Sequence, residues 1–580
     1  MLFRFGSFNF DPNAFSGFQP GAAPPPRKPG KPKKARKPIR SPFARVLINL
    51  LVTLVVGGLY FYVVLPPLNP QAPEFYSFLA LLLILYCISA LITSGFQAQT
   101  GKDYFAFVRR SCKVPFFLIL AILAVCLVGG ILSWQVLRAA SYQRLLPVED
   151  GDFASEVAEV SYDQIPMLDE ASAMRLGDRK LGELADMVSQ FEVADNYTQI
   201  NYQGRPVRVT PLVYGDIIKW FNNRSAGLPA YIVIDMVTQN VDVVRLDEGM
   251  KYTTAEHFSR NLYRHLRFHY PTTMFAEPVF EINEEGVPYW ICPKIVKTIG
   301  LFGGTDIRGA VLVNAITGES SYYEEVPAWV DRLYDADLIV QQYDYYGMYQ
   351  NGWLNSIFGQ RDVTVTTEGY NYIVIGDDVY MYTGVTSVGG DQSNVGFLLV
   401  NQRTKETKYY PCAGAKEYSA MSSAQGQVQH LNYTATFPLL LNIGGEPTYF
   451  MSLKDAAGLV KMYAMVNVQQ YQIVATGATV LECEEAYRQM LATNHLIDDS
   501  QLPAAGTQEV RGAIADIRAA VLEGNSYYYL SLRADPEQYY AVNAAEYPLA
   551  VILDAGDRVV ITVPAQEEAE ILTGCGVKRS

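Results

Sequence analysis

The chain has 580 residues, too many for one ordinary domain, and its net charge of −13 is unevenly spread. Residues 1–113 hold fourteen Lys/Arg and three Asp/Glu, a net of +11, which leaves −24 for residues 114–580. So acidic a C-terminal part repels phosphate backbones, which argues against nucleic acid as a partner.

In chain order, residues 1–42 begin with Phe, Gly and Asn and become rich in Pro, Lys and Arg. Such a segment buries too little apolar surface to offset its chain entropy and is predicted to be a disordered tail. Residues 43–140 contain three apolar runs without formal charge, 46–65, 76–96 and 115–137. At ~1.5 Å per residue each is long enough to cross a ~30 Å hydrocarbon core with its backbone hydrogen bonds internal. Nine basic residues from Arg27 to Arg45 precede the first run, and Lys102, Arg109, Arg110 and Lys113 lie between the second and third. The loop 66–75 has none. Positive flanks stay inside, so the tail is expected in the cytoplasm and everything beyond residue 137 outside it. About 45 residues precede the first run and no small-residue cleavage site follows it, which disfavours a signal peptide. The same basic residues suit anionic inner-leaflet lipid, and the bilayer itself is the first expected partner.

Residues 141–227 are predicted to be an α+β connector, with a helix over 172–190, strands at 197–202 and 207–214, and a short helix over 216–222. Beyond it the chain repeats. YIVIDMVTQNVDVVRL (231–246), GAVLVNAITGESSYY (309–323) and GFLLVNQRTKETKYY (396–410) each carry an apolar strand ending in Asp235, Asn314 or Asn401. Thr238, Thr317 and Thr404 follow three positions on, which is hairpin-turn chemistry. Asn283-x-x-Gly286-x-Pro288 matches Asn442-x-x-Gly445-x-Pro447, and helices are expected over 254–269 and 415–428. Two units follow, 228–330 and 370–477, joined by an aromatic-rich linker at 331–369 whose rings are expected to close a seam between domains. This pattern resembles PepSY-like domains, in which a helix packs across an antiparallel sheet. The resemblance rests on GAVLVNAITGESSYY and on the helix before EINEEGVPYW, and it implies a non-catalytic extracytoplasmic module associated with the regulation of envelope enzymes.

A helix and linker occupy 478–504, and strands at 509–521, 526–532, 538–541 and 558–563 with a short helix over 544–549 resemble an OB-fold barrel over 505–567. Residues 568–580 are read as a tail. The fold class is therefore a multi-domain membrane protein: three transmembrane α-helices, then extracytoplasmic α+β antiparallel-sheet repeats and a small β-barrel.

Candidate chemistry is sparse. His265 and His269 lie four apart in HLRFH, without the Glu of a metalloprotease helix and with Arg264 and Arg267 beside them, so a solvated or partner-facing helix side is expected. The loop 383–394 reads as a hairpin connection and Gly376-Asp377-Asp378 as a turn. Seven cysteines form no CxxC; Cys292, Cys412, Cys483 and Cys575 allow two disulfides in three connectivities, and separate buried thiols are the simpler reading. No catalytic, cofactor-binding or metal residue and no cofactor is assigned. The expectation is a binding or scaffolding protein of a bacterial-type cell envelope that contacts another envelope protein or cell-wall glycan. The alternatives are an envelope hydrolase assembled from sequence-distant residues and a transmembrane sensor.

Overall fold

The computed structural model describes residues 41–94, 106–109, 111–157, 165–388, 393–498, 507–522, 525–533, 535–545, 547–564, 571–573 and 576–579. The basic tail before Ser41, most of the loop between the second and third apolar runs, and Cys575 lie outside them. Among the described residues three helices are long and apolar enough to cross a membrane: α1 (Pro42–Val64), α2 (Pro73–Thr93) and α3 (Lys113–Leu132). The third ends five residues short of the sequence expectation. Trp134 is extended, and an amphipathic helix α4 (Gln135–Gln143) starts after it.

The chain separates into two bodies, one of residues 1–59 with 80–120, the other of residues 60–79 with 121–580. In the first, Asn49 Oδ1 accepts hydrogen bonds from Ser89 and Thr93, both at 2.9 Å, a polar tie between otherwise apolar helices.

In the second body, among the described residues, four five-stranded arrangements share one connectivity. A short strand and the first arm of a hairpin lie end to end on one edge of a central strand, whose other edge carries the last two strands. The first sheet runs Phe191–Val193, Thr198–Tyr202, Arg205–Tyr214, Leu228–Asp235 and Val241–Met250. The second runs Met274–Phe275, Val279–Ile282, Pro288–Ile299, Gly303–Asn314 and Ser320–Tyr323. The third runs Thr364–Thr366, Asn371–Ile375, Asp378–Ser387, Asn394–Asn401 and Thr407–Gly414, with Glu149–Asp150 added in parallel at its far edge. The fourth runs Thr434–Ala435, Leu439–Ile443, Glu446–Lys454, Val460–Asn467 and Val474–Gly477.

The same local chemistry recurs in all four. Asp235, Asn314, Asn401 and Asn467 each accept the backbone N–H groups two and three residues on, at 2.8–3.0 Å, closing the last hairpin. The residue after each short strand donates to the central strand: Ala194 to Pro211, Ala276 to Pro293, Thr367 to Gly384 and Thr436 to Ser452. Two of those partners are prolines, which have no N–H to give, and both stand where the edge is interrupted.

Helices fill the spaces between sheets. α5 (Glu170–Gly182), capped by Asp169, and, after the short α6 (Ile217–Asn223), α7 (Leu262–His269) share one core with the first and second sheets. α8 (Ala336–Met348) covers the outer face of the third sheet. α9 (Glu417–Gln427) and α10 (Val480–Thr493) share a core with the third and fourth. α7, α8 and α10 each bury two or more large apolar side chains, at about 1.5–3 kcal/mol each, more than the intrinsic preference of such short helices supplies, whereas α9 buries Ala420 and Ala424.

Several boundaries differ from the sequence reading. A unit beginning at 228 divides the first sheet, because Leu228–Asp235 is paired to Arg205–Tyr214 inside the supposed connector. The supposed linker 331–369 contains α8 and a strand of the third sheet; Tyr334 packs in the seam between the second and third sheets and Tyr343 and Tyr346 against the third, while Phe358 is exposed. At the C-terminus the strands lie in the order Ile571–Thr573, Asp535–Asn543, Asn525–Leu532, Thr507–Leu522, Arg558–Pro564, Gly576–Arg579. The two outermost strands are at opposite edges, so this sheet is open and not a closed barrel, and the supposed tail forms both edges.

Candidate functional site

A concavity of about 390 Å³ opens where the edges of the first and second sheets are interrupted. One wall is Ala194–Thr198 with Pro211; the other is Ala276–Phe280 with Trp290, Pro293 and Ile295; residues 332–338, leading into α8, close it. Its surface is mixed. Trp290 packs edge-on against Phe280, and its indole N–H is buried without a partner. Arg332 lies 4.1 Å over the Tyr372 ring and donates to its hydroxyl at 2.8 Å, while its Nε–H has no partner. Glu170, Glu277 and Asp335 add carboxylates. Glu277 accepts the Tyr263 hydroxyl at 2.5 Å, and burial, then Asp337, raises the Asp335 carboxyl above its ordinary range. Aromatic faces with flanking acids suit an extended polar chain with apolar branches.

Behind this cleft three sheets converge on Asp331 and Arg332. Glu281 is fully buried, and its carboxylate accepts the Asp331 N–H at 3.0 Å and the Arg332 N–H at 2.8 Å. Asp331 accepts the Asn201 N–H at 2.6 Å, and Asn201 Nδ2 donates to Asp377 at 2.9 Å. Arg403 and Asn401 both hold Asp378. Burial pushes Glu281 up to about 7, with the two backbone donors and Arg332 opposing. Asp331 is raised well above its usual value, by burial first and then by Glu281, Asp378 and Asp377. Neither carboxyl lines the cleft. Their oxygens are occupied by backbone donors, so the pair forms a structural joint beside the cleft.

Residues singled out from sequence fall elsewhere. His265 is buried rather than solvated: it meets Tyr252 edge-on, its ring centre is 4.2 Å from that of His269, and burial followed by His269 lowers its pKa. The His269 Nδ1 faces the His265 carbonyl at 2.8 Å, and no cluster of metal-binding side chains occurs among the described residues. Gly376 and Asp377 form the turn between Asn371–Ile375 and Asp378–Ser387. Residues 383–387 belong to a strand, not to a loop. The cysteines at 292, 412 and 483 are free and buried. Sequence reasoning missed Trp290, Arg332, Glu281 and Asp331. The one local signal was Glu281, a charge inside the otherwise apolar strand Val279–Ile282.

No family model matches the chain, and no curated protein matches it. Among solved structures it is similar to a crystal structure of a levansucrase variant from B. megaterium, at 9% identity over 76% of this chain and 97% of that one. The TM-score is 0.18, too low to relate the two folds or their activities.

Proposed function

We propose that the chain is a membrane-tethered extracytoplasmic binding or scaffolding protein of the cell envelope, and that the cleft at the first two sheets engages a segment of another envelope protein or cell-wall polymer. The observation that carries this reading is the cleft itself, with the Glu170, Glu277 and Asp335 carboxylates and Arg332 beside the aromatic walls of Tyr197, Phe280, Trp290 and Tyr334. The tail is placed in the cytoplasm and the β-rich part outside on the strength of the basic flanks. A structural tie agrees with one shared side for the first loop and the sheets: Leu68 N–H donates to Pro271, Asn69 to Thr272 and Gln71 to Lys297. The sheets are read as PepSY-like modules, supported by helix-on-antiparallel-sheet packing and the recurring Asx turn. That likeness favours a modular, non-catalytic role.

The test is photo-crosslinking in intact cells from residue 277 at the cleft and from residue 551 on the C-terminal sheet. A discrete adduct formed from 277 alone supports the reading, and identical smears from both positions refute a specific site. Placement is tested separately with a Tyr471→Cys chain and a membrane-impermeant maleimide. Labelling only after lysis would reverse the orientation.

A further inference from the structure

Two groups of large apolar side chains are exposed beside the ends of α1 and α3, outside the helices themselves. The first is on α6 and the turn before α7: Ile217, Ile218, Phe221 and Phe258. Phe258 is 63% exposed and has a φ of +53°, a conformation that is costly for an aromatic residue. It is held there by Arg264, whose Nη1 donates to the Phe258 carbonyl at 2.7 Å and whose Nε donates to the Tyr62 carbonyl at the end of α1. Arg264 also lies 4.3 Å over the Tyr62 ring, and Phe268 meets Phe61 edge-on. Arg224 stacks 4.0 Å over Phe221, and Lys219 stands on the same helix. The second group is the turn Asn355–Gly359 and its approach, with Leu354, Ile357 and an 81% exposed Phe358. It follows Trp353, which packs with Tyr349 against α4, where Trp134 and Leu137 are themselves exposed.

A third contact marks the level of these groups. The tip of the hairpin Pro288–Ile299/Gly303–Asn314 reaches the end of α3, where Ser133 Oγ accepts the Leu301 and Phe302 N–H groups at 3.0 and 2.9 Å. A Cβ placed on Gly129, a full turn inside α3, would lie 2.8 Å from both the Leu301 and Phe302 side chains. Phe302 also meets Tyr76 near the start of α2. The sheet region therefore descends alongside apolar helix, with the first exposed group tied to the end of α1 through Arg264 and the second next to α4 through Trp353.

Resting on the reading of α1–α3 as membrane spans, we propose that these two patches are seated in the leaflet facing the β-rich part. The repeat array then lies on the bilayer instead of standing on a stalk. Aromatic and branched apolar side chains enter the boundary between headgroups and acyl chains, while Arg224 and Lys219 meet lipid phosphate. Apolar groups of this size left in water are unusual for a monomer, and their continuity with the span ends names lipid as what covers them.

The unmodified full chain in nanodiscs of phosphatidylcholine and phosphatidylglycerol is footprinted with hydroxyl radicals. Phe258, Phe221 and Phe358 are expected to be modified as slowly as Phe117 within α3, and several-fold more slowly than Tyr471, which is 51% exposed on the fourth sheet. If Phe258 and Phe358 react like Tyr471 while Phe117 stays protected, the seat is refuted and the spans stand. If Phe117 reacts as well, the membrane reading itself fails. A Phe358→Cys chain, its other accessible cysteines replaced by alanine, then carries an environment-sensitive dye. Quenching by lipid-borne nitroxides is expected; protection without quenching means that protein covers the patch and overturns the proposal.

Discussion

The buried joint behind the cleft makes a pH-dependent prediction. Glu281 is pushed from 4.5 to about 7, chiefly by burial, and Asp331 moves the same way. In the native state the joint therefore keeps a proton that the unfolded chain has already released between about pH 4.5 and 7. Its stability is full below that window and falls as the pH rises through it, by about 3 kcal/mol at about 1.4 kcal/mol per pH unit. Asp331→Asn removes the neighbouring charge but keeps an oxygen for the Asn201 N–H, so it is expected to leave acid stability unchanged and to stabilise the joint by about 1–3 kcal/mol at about pH 8. Because a chain with several cores does not unfold in one step, the assay is local: amide-exchange protection of peptides covering 279–282 and 330–333 in the full chain, corrected for intrinsic exchange. Wild-type protection that does not fall between the two ends of the window, or a variant no better protected than the wild type at about pH 8, refutes the account of a retained proton.

Three further outcomes follow from single positions. Gly309 has a φ of +66° at the bulge beside Ala310, and a Cβ there would overlap the Tyr323 carbonyl oxygen and lie 2.8 Å from Glu324 Cα, so Gly309→Ala is expected to cost at least about 2 kcal/mol and to expose Cys292 to maleimide. Ser133→Ala leaves the Leu301 and Phe302 N–H groups without their acceptor, at about 2 kcal/mol, read as proteolysis at the hairpin tip. Thr479→Ala removes the capping box it makes with Glu482, costing about 1 kcal/mol and fraying the first turn of α10 in amide exchange.

What could be read in the sequence follows from how local each signal was. The apolar helices announced themselves by composition, but the end of α3 did not. Val136 and Leu137 extend the apolar count, while Ser133 and Trp134 break the helix to receive a hairpin about 170 residues away in the chain. Three Asx turns were visible because Thr follows Asp235, Asn314 and Asn401; the fourth was not, because Asn467 has Gln470 there and keeps only the backbone geometry. The first-hairpin turn showed at Asn283 and Asn442, but Gln203-Gly204 and Gly376-Asp377 make equivalent turns without that spelling. Both were legible as turns, but without the shared spelling they were not matched to the repeat, which was therefore placed out of phase and divided the first sheet. The open C-terminal sheet was missed because its edges are strands of three and four residues, too short to carry an alternation. The cleft draws on many short, separate stretches of chain, and no one of them carries a motif.

Divergence between the four sheets has its own logic. In each, the next-to-last residue of the first hairpin arm occupies an equivalent place: Asn201, Glu281, Val374 and Asn442. An apolar residue suits a buried strand there, and Val374 has one. The other three are polar, and each binds a segment from outside its own sheet. Asn201 takes Asp331 and Asp377, Glu281 takes the 331–332 backbone, and Asn442 Nδ2 donates to the Val157 carbonyl at 2.5 Å. A connector crossing a sheet brings backbone groups that must be paired once buried, and an unpaired one costs about 1–3 kcal/mol. The polar substitutions are thus where the repeat meets the chain that links it. Two of the three lie at the Asp331 joint, so the side chains that interrupt the apolar pattern also fix the connector that carries Arg332 into the cleft.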